Sequence, residues 1–185
     1  MVKIKEVSAK PILDSRGEET ILVRIKTDIG EFSASAPNGK SKSKFEKSPY
    51  KKDLKGDIKV LKQLEEYFAD EVFEKFEDLK EIEDILEGHV GANTMFALEA
   101  ATLKAIATQN KKEIWEIINH KAKKFPRFVG NCIGGGKHSN QDKKPTFQEF
   151  LLLPSKKSAK KNFEIMKKIK KEVELELQIK DPSFK

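Results

Sequence analysis

Cysteine is almost absent. Cys132 is the one thiol in 185 residues, so no internal disulfide can form and the usage points to a reducing compartment, the cytoplasm. Long apolar runs are missing as well: none approaches the roughly 18 residues that a membrane span needs. No signal-peptide pattern opens the chain, since residues 1–10 alternate as a strand does. Tryptophan and tyrosine are scarce, one and two respectively, and only Tyr50 falls inside a basic run. A binder of single-stranded nucleic acid needs a repeated aromatic platform along its basic groove. The net charge of +7 therefore does not make nucleic acid the expected partner, and no membrane partner is expected either.

What is present is a polar chain with 37% hydrophobic and 36% charged residues, long enough for one domain and a little more. Charge is unevenly distributed. Lysines gather in 40–55 and 156–171, and carboxylates in 65–87.

Residues 2–7 and 20–27 alternate with period two, and 28–30 turn the chain into a third run at 31–36, which predicts a three-stranded antiparallel meander. Between the first two strands lies ILDSRGEE, with turn-formers Asp14, Ser15 and Gly17 and the lone positive charge of Arg16. Residues 37–55, rich in Lys, Ser and Gly, have no hydrophobic period and read as a mobile loop. From Ile58 the period becomes helical through Leu61, Leu64, Phe68 and Val72, and a second amphipathic stretch covers 79–86. Gly88 and Gly91 interrupt it. Asn93 is placed to cap a helix through Gln109, whose alanines favour close packing. A short helix over 112–119 puts Trp115 in the core, and His89 and His120 are assigned no chemistry. Residues 121–127 form a basic linker with Pro126, which divides the chain into domains 1–121 and 122–185. An amphipathic helix is expected over 158–173, with 175–185 adding at most one strand.

The segment 128–154, FVGNCIGGGKHSNQDKKPTFQEFLLLP, holds the chemistry. Apolar runs at 128–133 and 147–153 flank a wide polar loop containing Gly134, Gly135, Gly136 and His138, so strand, loop and strand are predicted. The glycines permit close backbone approach, while His138 and Glu149 offer an imidazole and a carboxylate. Gln148 and Glu149 should face opposite ways in a regular strand, so both serve one site only at a bulge or a strand end.

NCIGGGKHSNQDKKPTFQEFLLLP resembles the enolase stretch N-x-I-N-G-G-x-H-A-x-N followed by F-Q-E-F-M-x-x-P. Three further islands resemble the same family in the same order. They are ILDSRG at 12–17, APNGKS at 36–41 with Glu46, and GAN at 91–93. Family sequences carry Asn-Pro where this chain has Glu18-Glu19, and Ser-Gly-Ala-Ser-Thr-Gly where it has Asn38-Gly39-Lys40-Ser41-Lys42-Ser43.

The resemblance implies an α+β fold, in which a three-stranded antiparallel meander and a helical bundle precede the first two strands and one helix of an incomplete enolase-type barrel. It implies a lyase, phosphopyruvate hydratase, interconverting 2-phosphoglycerate and phosphoenolpyruvate with Mg²⁺. Glu149 matches the partner of the acid that helps expel the hydroxyl, and His138 and Gln148 match substrate-side positions with it. Ser41 matches a ligand of the second magnesium, and Arg16 a dimer contact. The base lysine, the carboxylates of the first magnesium and the phosphate-holding arginine belong to later barrel strands and have no counterpart among these residues. The expected partner is a complementary barrel fragment or a second copy of the chain. The alternative is a non-catalytic enolase-like interaction protein.

Overall fold

The computed structural model describes residues 1–39, 43–136, 139 and 144–181, which fall into two compact units, Met1–Ala122 and Lys123–Lys185. The class is α+β. Unit 1 opens with β1 (Ile4–Leu13), β2 (Glu19–Thr27) and β3 (Gly30–Ser35), an antiparallel meander in the order β1-β2-β3. The period of two sets its faces: Ile21, Val23 and Ile25 of β2 are buried, while Arg24 and Lys26, which alternate with them, are exposed.

The helices α1 (Leu54–Gln63), α2 (Lys80–Leu86), α3 (Ala92–Gln109) and α4 (Ile114–Ile118) follow. α3 lies against β2 and β3. Ala97, Ala101 and Ala105 are fully buried beside Leu98 and Ile106, because a methyl group lets helix and sheet backbones come close. Phe68, Phe73, Leu61, Ile82 and Leu86 complete the core.

Four local expectations need correction. The helical period over 58–72 is not one helix: Asp53 caps α1 by accepting from the Gly56 N–H at 2.7 Å, so α1 starts at Leu54, stops at Gln63 and is followed by a 3₁₀ turn, Glu65–Phe68. That turn buries Phe68 and lets Phe73 bridge to Val2 as an added strand pair. Trp115 is 53% exposed, since Ile117 is the α4 residue that packs on the core. Asn93 does not cap α3; Gly91 holds that position and offers no side chain. In unit 2, α5 (Ala159–Lys180) is longer than 158–173 and leaves no strand in 175–180.

The start of α3 is capped from elsewhere in the sequence. The first N–H groups of any helix lack intrahelical acceptors, and here Gly91 donates to Asp57 Oδ2 at 2.8 Å while Ala92 and Asn93 donate to the carbonyls of Ser48 and Pro49, each at 2.9 Å. Asp57 is buried and also accepts from Thr94 Oγ1 at 2.7 Å and from the Lys51 N–H at 3.0 Å. A carboxylate at the positive end of a helix is favoured by the macrodipole. Gly91 is required by proximity: a Cβ there would stand 2.3 Å from Tyr50 Cα.

Unit 2 pairs β4 (Gly130–Gly134) with β5 (Glu149–Leu152) as an antiparallel ribbon. Ser158 caps α5, and the buried Asn162 exchanges two hydrogen bonds with the Lys156 backbone, each 2.9 Å. α5 packs on β4, where Met166 covers Gly130. No described helix is long and apolar enough to cross a membrane.

Two stability measurements follow from unit 1. Asp57→Ala strands the Gly91 and Thr94 donors in the interior, releases the partly buried Lys51 N–H, and should cost about 3 kcal/mol in urea unfolding. A loss near zero would show that the cap carries no stability. Burial, with the Glu83 carboxylate adding to it, pushes Glu99 up to about 7 from its ordinary 4.5. The folded state thus holds this proton more tightly than the unfolded one, so its contribution favours folding at low pH and is lost as pH rises from 4.5 through about 7. Glu99→Gln should flatten that part of the stability–pH profile, which thermal melts at pH 5 to 8 would register.

Candidate functional site

The site is assembled where β4 leaves its ladder and β5 enters it. Gly134 stands opposite Glu149 and Asn131 opposite Leu151, with the register shifted between Asn131 and Ile133. Beyond the ladder, the Gly135 N–H donates to the Gln148 carbonyl at 2.7 Å and the Gly136 N–H to the Pro145 carbonyl at 3.3 Å. Glycine is needed twice over. A Cβ on Gly135 would lie 2.3 Å from the Phe147 carbonyl oxygen, and Gly136 has φ +50°.

Glu149 is thereby the first residue of β5, half-buried, and Gln148 sits exposed just outside the strand. This strand end is one of the two geometries that allow neighbouring side chains to leave strict alternation. Asn131 Nδ2 donates to Glu149 Oε1 at 3.0 Å. The two share a face because Asn131 pairs with Leu151, two residues along from Glu149. Asn131, the asparagine that opens the NCIGGG motif, orients the carboxylate, and its pairing with Glu149 depends on the register across the intervening loop.

Arg16 belongs to unit 1 and is held by its own chain. Its Nη2 donates to Glu18 at 3.1 Å, to the Asn38 carbonyl at 2.9 Å and to Asp14 at 3.4 Å. The backbone N–H of Glu18, helped by that of Arg16 and by the guanidinium, holds the Asp14 carboxyl below its ordinary value against the opposing effect of burial. Ser41 and His138 lie outside the described residues. The described arrangement thus joins Gln148 and Glu149 to Asn131 and the glycines, with Arg16 in the other unit.

Among the described residues no three His, Cys, Asp or Glu side chains gather where they could hold a metal ion together. A cavity of about 210 Å³ on the sheet of unit 1 is lined by Ser8, Ala9, Lys10, Leu22 and Arg24, and no candidate residue lines it.

Residues 4–118 match the family described as "Enolase, N-terminal domain". The chain is similar to the enolase of Methanothermobacter thermautotrophicus, 29% identical over 196 residues, taking in 98% of this chain and 45% of that protein. The Methanosphaera stadtmanae enolase is 29% identical over 161 residues, 82% of this chain and 38% of that protein. For the Ehrlichia ruminantium enolase the figures are 32% over 171 residues, 83% and 40%. The chain spans less than half the length of these curated relatives.

Proposed function

This chain belongs to the enolase family, and on that premise we propose that its residues form the N-terminal part of a phosphopyruvate hydratase, completed by a complementary barrel half. The assembled enzyme interconverts 2-phosphoglycerate and phosphoenolpyruvate in the cytoplasm. Within it Glu149 partners the acid that expels the hydroxyl, and His138 and Gln148 contact the substrate. Ser41 joins the second Mg²⁺, and Arg16 faces the dimer interface. The base, the ligands of the first Mg²⁺ and the phosphate-binding arginine come from the barrel half.

The observation that carries this reading is the placement of Glu149 at the mouth of β5, oriented by Asn131 and beside glycines that a side chain would displace. A substrate-facing carboxylate needs this fixed orientation, because a group that must reorganise during the reaction contributes less.

The need for a partner rests on packing. Among the described residues of unit 2 no hydrophobic side chain is buried, and Phe150, Leu151 and Leu153 are each more than half exposed. At about 25 cal/mol per Å² of apolar surface, leaving several such side chains in water forfeits several kcal/mol. A ribbon of two strands also has two open edges. The same exposed surface favours a second reading, a non-catalytic enolase-like interaction protein.

Turnover discriminates the two. The purified 185-residue chain should not dehydrate 2-phosphoglycerate with Mg²⁺, whereas mixing it with the barrel half of a relative should give activity. In that complex Glu149→Gln and His138→Ala should lower turnover by about 100-fold with assembly unaffected. Activity from the chain alone, or full turnover in both variants, would sink the assignment; a tight but inert complex would favour the second reading.

Association can be tested separately. By light scattering the chain should self-associate, and adding the barrel half should replace that species by a defined complex through residues 128–173. A stable monomer with those residues already protected from hydrogen exchange would contradict the packing argument.

A further inference from the structure

Both ends of the connection between β3 and α1 meet the first turn of α3. The chain departs at Asn38, whose Oδ1 accepts from Asn93 Nδ2 at 3.2 Å. It returns at Pro49, whose carbonyl accepts from the Asn93 backbone N–H at 2.9 Å. One residue thus holds two points that are 11 positions apart in the sequence. Asn38 is further fixed by its Nδ2 donating to the Glu19 carbonyl at 3.0 Å and by Arg16 Nη2 donating to its own carbonyl at 2.9 Å. The return end is fixed by Ala92 on Ser48 and by Asp57 on Lys51.

We infer that Asn93 is the positioning residue of this connection, setting the separation and direction of its two ends through its side chain and its backbone together. The chemistry fits the residue type. Asparagine at the second position of a helix contributes little to helix propensity, but its amide supplies a donor beyond the backbone N–H. Asn38 supplies the matching acceptor, its own amide NH₂ being turned to Glu19. Helix capping does not explain Asn93, because Gly91 has the cap position and Asp57 satisfies it. The purpose of the arrangement rests on the proposed function, since the connection carries Ser41. The arrangement itself stands on the hydrogen bonds alone.

Polarity gives the test. Asn93→Ala removes the donor to Asn38 and keeps the backbone N–H to Pro49, Asn93→Asp turns the donor into a second acceptor, and Asn38→Ala removes the acceptor together with the Glu19 bond. The readout is trypsin cleavage of the 185-residue chain after the exposed Lys44 and Lys47, relative to cleavage elsewhere, alongside the thermal midpoint. Asn93→Ala and Asn93→Asp should each raise that relative rate about five-fold, the equivalent of one lost hydrogen bond, and Asn93→Ala should add nothing further in the Asn38→Ala background. An Asn93→Ala effect near zero, or one as large in the Asn38→Ala background as in the parent, overturns the inference, and does so even where Asn93→Asp lowers the midpoint. Neither barrel half nor substrate is present, so this result is independent of whether the enzymatic reading holds.

Discussion

Donors from Gly91, Thr94 and Lys51 converge on one buried carboxylate, Asp57, and the layout of unit 1 depends on their doing so. An 18-residue helix laid across a sheet has a strong preference for the face it buries, but its position along its own axis is set by weaker forces. Asp57 supplies that missing constraint. It accepts the N–H of the cap residue and the hydroxyl of Thr94, so moving α3 along the sheet would break both of its bonds to that helix at once. A neutral side chain could accept as many bonds in principle, yet hydrogen bonds to an ionised oxygen are shorter and about twice as strong. The glycine at 91 is the geometric counterpart, because only without a Cβ can Tyr50 pass close enough for Lys51 to reach the same carboxylate.

Unit 2 shows the opposite balance. Its described residues bury Gly135 and Asn162 but no apolar side chain, so its order comes from backbone pairing, the Asn162 clamp and the contact of α5 with β4. Small apolar units are marginal because surface outweighs interior. A ribbon of two strands with one helix over it is marginal for the same reason, and an isolated two-stranded ribbon is weaker still. The asymmetry between the units is therefore physical: one closes a core on itself, the other presents one.

Much of this was legible in the sequence. Alternation gave the meander because one face of it is buried, and the alanine pattern gave α3 because a close helix–sheet contact admits little else. Trp115 was misread because a helix of five residues, Ile114–Ile118, buries only a narrow stripe, and Ile117 occupies it. The cap of α3 was misread because its acceptor lies 34 residues upstream of Gly91, where no local pattern extends. The extension of α5 past 173 was hidden by residues 174–177, ELEL, whose alternation looks like that of a strand. At the candidate site, Glu149 and Asn131 both stood in the motif, while the contact between them needed the register, which a shift between Asn131 and Ile133 makes unreadable from spacing.

On the enzymatic reading, the exposed strand and the oriented carboxylate are parts of one arrangement. Glu149 begins the same strand whose next residues, Phe150 and Leu151, are more than half in water. Its orientation relies on Asn131, and the ladder holding Asn131 opposite Leu151 is short and open on both edges. Such ladders fray at their ends on short timescales unless packing holds them. Covering Leu151 and Leu153 with a barrel half would remove apolar surface from water and, through the same backbone, hold the Asn131–Glu149 pair in its register. Catalytic groups need to be fixed more tightly than a marginal ribbon fixes them. Association would then be part of building the site: the free energy that joins the halves would also order the carboxylate that the reaction uses.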